Sequence, residues 1–197
     1  QKIVLVDLDK GMTDLFKTNE ILRKHNNNAL NNKKVTVVNE DAFIWAKNNK
    51  EQFDVIIIDF PDPSNYSLGK LYSSFFYKTL HQSMNKNTVV TVQSTSPYFA
   101  PKSFWCIHKT IEDTYANILP YHVYVPSFGE WGFSIFSQNP AIHLNKVNRK
   151  LENLRFYKYD LNNYTDFPDD MKAQNLDINR LDNQALVRYF DEEWGEI

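Results

Sequence analysis

The chain has 197 residues, 42% of them hydrophobic and 15% aromatic, with a formal net charge of −2, a length that fits one globular domain burying about 70% of its unfolded surface. The charge is uneven, with 17 Lys/Arg against 13 Asp/Glu over residues 1–150 and 5 against 11 over residues 151–197; an acidic tail and no basic stripe argue against a nucleic-acid partner. No apolar run approaches the roughly 18 to 20 residues that span a bilayer and no signal-peptide pattern is seen, so the stretch is expected to be soluble.

In chain order, KIVLVDLD (2–9) is an apolar strand closing on acids, and residues 13–26 form a helix with Leu15, Phe16, Ile21 and Leu22 as its apolar positions and Thr13 as its N-cap. KVTVVNED (34–41) is a second strand closing on acids, followed by a short helix with Phe43, Ile44 and Trp45. The third is FDVIIID (53–59), whose β-branched run reads as a buried parallel strand. The backbone is then broken by Pro61, Asp62 and Pro63 before a helix that begins near Ser73. A strand over 88–97 and a helix over 102–115 follow, then two strands, ILPYHVYVP and GFSIFSQ, with no room for a helix between them. The lone Cys106 lies in that last helix, offers neither a disulfide nor a thiolate pair for a metal, and reads as a small buried residue in a reducing compartment. The pattern predicts an α/β domain with a doubly wound, mostly parallel sheet and an antiparallel last strand. Residues 1–139 form this domain, and 140–197 read as an appendage with an amphipathic helix at about 181–194 built on Leu181, Leu186, Val187, Phe190 and Trp194. The asparagine-rich pieces NNNALNN and NLDIN read as exposed turns.

Three consecutive strands thus deliver carboxylates to one rim: Asp7 and Asp9, Glu40 and Asp41, Asp59 and Asp62. Ligands of open α/β sheets bind at the carboxyl ends of strands, and an acid there can accept both hydrogen bonds of a ribose diol or those of an adenine amine. Two close carboxylates such as Asp59 and Asp62 raise each other's pKa unless a cation lies between them, which points to a sulfonium or an amine ligand. No metal is expected, because no histidine lies near these acids, and the five glycines never form a phosphate-binding GxGxxG.

The segments VDLD (6–9), VTVVNEDAF (35–43), FDVIIIDFPDP (53–63), LYSSFFY (71–77), VVTVQSTSPY (89–98) and VPSFGEWGF (125–133) resemble the spermidine synthase (polyamine aminopropyltransferase) family. The extra residue in PSFGEWGF and the LDNQALVRYFDEEW tail resemble the branch whose catalytic domain follows a membrane-spanning N-terminal region. The resemblance implies a Rossmann-like, methyltransferase-type fold that transfers an aminopropyl group from decarboxylated S-adenosylmethionine, a co-substrate and not a tightly bound cofactor, to putrescine. It implies Asp7 as the ribose acid, Asp41 with Ala42 at the adenine, Tyr66 near the nucleoside, Asp59 as proton acceptor, and Asp62 and Gln93 at the amine. Glu130 is left open between holding the distal ammonium and facing water; Tyr98, Phe128 and Trp131 are open between walling the methylene chain and ordinary packing. Ala42 stands in place of the family's glycine, and Tyr66 where many members have proline. The family's glycine-rich turn and the strand before it do not occur in this sequence. The expectation is therefore that a strand, a glycine turn and a membrane region lie upstream of residue 1, leaving the cofactor site incomplete, with this stretch on the cytoplasmic side of a multi-pass cell-membrane protein and room for a homo-oligomer. The competing readings are an S-adenosylmethionine-dependent methyltransferase and a non-catalytic binding domain on the same fold.

Overall fold

In the computed structural model, which describes residues 2–144 and 162–195, the chain divides into two compact units, Gln1–Asn49 and Lys50–Ile197. In the first unit β1 (Ile3–Val6) and β2 (Val35–Val38) pair in parallel, with Ile3 opposite Val35 and Val6 opposite Val38. A parallel pair needs a long crossover, and here it is built from α1 (Lys10–Thr18) and α2 (Glu20–His25). The helix expected over 13–26 is therefore two helices. Asn19 interrupts it: its side chain accepts from the Ile21 and Leu22 amides and caps α2, a local bond that competes with continuing the helix. The first cap is Asp9, not Thr13, because the strand ends on an extended acid whose carboxylate reaches the Met12 amide. Thr13 is buried and bonds Asn39 instead. The unit closes with α3 (Ala42–Asn48), capped by Asp41.

The second unit is built on a four-stranded sheet of β3 (Phe53–Ile58), β4 (Met84–Gln93), β5 (Asn117–Val125) and β6 (Gly129–Ser137), in the order β3-β4-β6-β5. β3 runs parallel to β4, whereas the last strand, β6, lies antiparallel to both β4 and β5. No strand among the described residues pairs with both β1 and β3. β4 ends at Gln93 and not at 97, because Thr95 takes a left-handed backbone (φ 60°) that leaves the extended region. Burial of β3 is one-sided: Ile58 is buried, while Val55 and Ile57 are 64% and 74% exposed on a strand hydrogen-bonded only to β4 among the described residues.

Between β3 and β4 come a short α4 (Tyr66–Gly69), which the sequence did not signal, and α5 (Ser74–Leu80), capped by Ser73. α6 (Pro101–Glu112) opens on a proline, which helices accept at their first position, and buries Phe104, Cys106, Ile107 and Ile111. On β6, Phe136 is buried between the rings of Tyr77 and Tyr115. Full burial of such side chains is worth roughly 1.5–3 kcal/mol each. Cys106 is buried as expected: burial pushes its thiol up to about 12, and the sulfur donates to the Asp177 carbonyl.

Residues 145–161 of the expected appendage lie outside the described residues; α7 (Asn162–Thr165) and α8 (Ala185–Trp194) lie within them. α8 starts later than 181 because the Asn183 side chain accepts from the Arg180 and Ala185 amides, and Gln184 then takes a left-handed turn (φ 45°). α6 has no capping side chain of its own, and Glu193 of α8 supplies one by accepting from the Lys102 and Ser103 amides. The NLDIN piece is not an exposed turn: Asn179 is fully buried. Its four polar groups are all committed, donating to Gly69 O and Thr110 Oγ1 and accepting from Leu186 N and Ser74 N. At Gly69 an added Cβ would lie 2.5 Å from Val187 Cγ2 and 2.6 Å from Gln184 Oε1, so only glycine allows this approach of α4 and α8.

Candidate active site

The end of β3 at Ile58 makes Asp59 the first residue beyond the sheet, and Pro61 and Pro63 fix the path of the turn that carries Asp62. Asp59 is exposed, and its carboxylate accepts no hydrogen bond from the described residues. Asp62 is half-buried. Burial pushes its carboxyl pKa up from the ordinary value, opposed in part by a hydrogen bond from Gln93. Neither acid belongs to an ion pair formed among the described residues.

Two side chains hold this turn from beneath. The fully buried Tyr72 places its hydroxyl 3.1 Å from Phe60 O and 3.2 Å from Pro61 O. Burial, then Tyr77 and the charges of Asp62 and Asp59, push the Tyr72 pKa well above its ordinary value, so the hydroxyl remains a donor. Gln93, at the end of β4, donates from Nε2 to Phe60 O (3.2 Å) and to Asp62 Oδ1 (3.1 Å), and its Oε1 accepts from the Thr95 amide. Sequence reasoning missed Tyr72 and Thr95. Tyr72 lies in the quoted LYSSFFY motif, but nothing in the sequence tells a bracing tyrosine from a core one.

Glu130 is not brought to Asp62 and Gln93. Side chains alternate across a strand, and Glu130 shares its face of β6 with Ser134, which meets His108 of α6, and with Phe136. Gln93 lies on the other face, opposite Phe133. The Glu130 carboxylate is 2.8 Å from His122 Nδ1, and His122 Nε2 is 2.8 Å from Asp166 O. Tyr98 and Phe128 are exposed, so they are not core residues; Phe128 stacks obliquely on Trp131 with centroids 5.1 Å apart. Tyr66 opens α4 and is exposed.

In the first unit, Asp7 and Asp41 follow β1 and β2 at the carboxyl edge of that sheet. Asp7 Oδ1 accepts from the Asp9 amide (2.7 Å), Asp41 Oδ1 from the Phe43 amide (2.8 Å), and Ala42 is the first residue of α3. Asn39 ties the two loops together by donating to Asp7 O. Among the described residues no group of three or more His, Cys, Asp or Glu side chains is placed to hold a metal ion, and no helix is long and apolar enough to cross a membrane.

Residues 1–150 match the family described as Spermine/spermidine synthase domain. The chain belongs to that family. A polyamine aminopropyltransferase of Leptospira interrogans serogroup Icterohaemorrhagiae serovar copenhageni is 50% identical over 197 residues, which are 100% of this chain and 39% of the relative. Polyamine aminopropyltransferase 2 of Ralstonia nicotianae is 44% identical over 198 residues, again 100% of this chain and 39% of the relative. The chain therefore spans 39% of the length of these curated relatives. A solved spermidine synthase in complex with the transition state analogue AdoDATO is similar with a TM-score of 0.62 at 16% identity, over 100% of this chain and 62% of that one. The spermidine synthase from Thermotoga maritima gives 0.61 at 15%, over 100% and 61%. Identities this low speak for the fold alone. That fold is the Rossmann-like, methyltransferase-type one, and the parallel strand pairs with an antiparallel β6 agree with it.

Proposed function

We propose that this stretch is the catalytic domain of a polyamine aminopropyltransferase, moving the aminopropyl group of decarboxylated S-adenosylmethionine to putrescine to give spermidine and methylthioadenosine. The observation that carries the reading is the turn after β3, where Asp59 lies exposed and, among the described residues, unpartnered beside a half-buried Asp62, an arrangement that a cationic amine completes. Family membership and the names of the relatives support it.

A protonated amine has no lone pair and cannot attack. Asp59 takes the proton as the nitrogen bonds to the carbon beside sulfur, the carbon–sulfur bond breaks, and its electron pair neutralises the sulfonium as methylthioadenosine leaves. Asp62 holds the ammonium, with Gln93 beside it. Asp7 holds the ribose, Asp41 with Ala42 the adenine, and Tyr66 covers the nucleoside. Holding the two substrates in line contributes on the order of 7–11 kcal/mol. Residues 1–139 carry the chemistry and 140–197 the appendage. The reading extends to a homo-oligomer and to membrane attachment through an upstream region, with this stretch on the cytoplasmic side.

The test is product analysis of the full-length protein with putrescine and each sulfonium donor. Methylthioadenosine from the decarboxylated donor supports the reading. S-adenosylhomocysteine from S-adenosylmethionine replaces it with methyl transfer, and the absence of both products leaves a non-catalytic domain.

A further inference from the structure

We propose that Gln93 is a positioning residue, not an amine ligand: it ties the 59–62 turn to a strained Thr95 and so aims the second oxygen of Asp62 at the substrate. This rests on the aminopropyltransferase reading above.

The amide of Gln93 has two N–H donors, and the turn takes both, one at Phe60 O and one at Asp62 Oδ1. Its oxygen faces the Thr95 amide. These partners fix its orientation, since the flipped amide would set oxygen against two oxygens and N–H against N–H. No donor is left for a substrate, and a protonated amine has no use for one. What the arrangement supplies is direction: Oδ1 of Asp62 is pinned, and Oδ2 accepts no hydrogen bond from the described residues.

Thr95 is the anchor. It is fully buried, β-branched and left-handed at φ 60°, and its hydroxyl has no partner among the described residues. Such residues rarely adopt this backbone, which persists only where the surroundings impose it. β6 imposes it here: the Gly132 amide donates to Thr95 O (2.7 Å), and the Ser94 amide donates to Gly132 O (2.9 Å). The left-handed turn directs the Thr95 N–H back onto Gln93 two residues earlier. The turn bearing Asp62 is thereby referenced to the middle of the sheet.

Among the described residues, the titratable groups around Asp62 are Asp59 on the same turn and the Tyr72 hydroxyl beneath it. The Gln93 N–H favours ionised Asp62 against burial, so removing it raises the pKa of Asp62 further and moves the acid limb of amine use to higher pH.

The experiment compares full-length wild type with Gln93→Met, which keeps the length of the side chain and adds no charge but removes both donors to the turn. It is expected to lower kcat/KM for putrescine by about tenfold, leave KM for the nucleoside donor within about threefold, and shift the acid limb upward by about half a unit or more. A direct amine ligand would raise KM for putrescine with the limb unmoved, and a purely structural residue would depress every parameter together; either result overturns the proposal. Thermal-shift titration with putrescine across pH reads the same limb without turnover. Wild-type protein that neither releases methylthioadenosine nor is stabilised by putrescine overturns the functional reading and this proposal together, whereas an active wild type with an unmoved Gln93→Met limb overturns this proposal alone.

Discussion

Replacing Asp59 with Asn separates chemistry from folding. The side chain is exposed and accepts no hydrogen bond from the described residues, so the substitution breaks no contact and changes stability by less than about 0.5 kcal/mol. In a unit of this size that is a melting shift of about 2 °C at most. The chemical step loses its proton acceptor, a contribution of about 10²–10⁴ in rate, or roughly 2.7–5.5 kcal/mol at 1.36 kcal/mol per decade. Affinity for methylthioadenosine is expected to stay as in wild type. The residual rate has a signature of its own. With no base, the reactive species is the small fraction of amine already neutral, so the rate climbs about tenfold per pH unit below an amine pKa near 10. Release of methylthioadenosine, followed by chromatography from pH 7 to 9, reads both magnitude and slope. Activity within about tenfold of wild type refutes the assignment of Asp59 as the base.

Asp62→Asn is expected to raise KM for putrescine more than it lowers kcat, as measured by initial rates. Because burial raises the pKa of Asp62 in the fold, the native state holds its proton more tightly than the unfolded chain. The stability this confers is complete below 3.8 and lost as pH rises through the elevated native value. Asn does not titrate, so the variant melts higher than wild type at pH 7, and the gap closes near pH 3.5; a gap independent of pH would contradict the sign. Gly132→Ala sets a Cβ against the Phe104 ring and 2.9 Å from Thr95 O. Overpacking of that kind costs about 1–3 kcal/mol and lowers the melting temperature by roughly 2–10 °C, with unchanged melting as the adverse result. Asp7→Ala is expected to weaken methylthioadenosine more than putrescine in a calorimetric titration, and equal weakening removes Asp7 from the ribose.

The strands could be read because β-branched runs that stop on acids leave few alternatives, and Asp7, Asp41 and Asp59 each lie where such a run ends. What escaped the sequence was set by competition at single residues. Asn19 split a helix that periodicity alone would continue, and Thr95 ended a strand four residues before the proline that seemed to mark its end at 97. Glu130 illustrates a different gap: proximity in a motif does not say which face of β6 a side chain takes, and its partner, His122, lies eight residues away across a hairpin. Asn179 was misread because a polar residue in a polar stretch signals exposure, whereas its four partners come from segments far apart in the chain.

The bond from Asn179 to Gly69 joins residues separated by 110 positions. A ribosome adding about 5–20 residues per second makes the turn with Asp59 and Asp62 roughly 6–24 s before it makes Asn179. Throughout that interval the Gly69 carbonyl and the Ser74 amide wait for a partner not yet synthesised, and the first turn of α6 lacks the Glu193 cap. The ties of α8 and its lead-in to α4, α5 and α6 therefore form only after residue 193 has left the exit tunnel, whereas the turn of residues 59–62 has its own supports, Tyr72 and Gln93, within about 35 residues of synthesis.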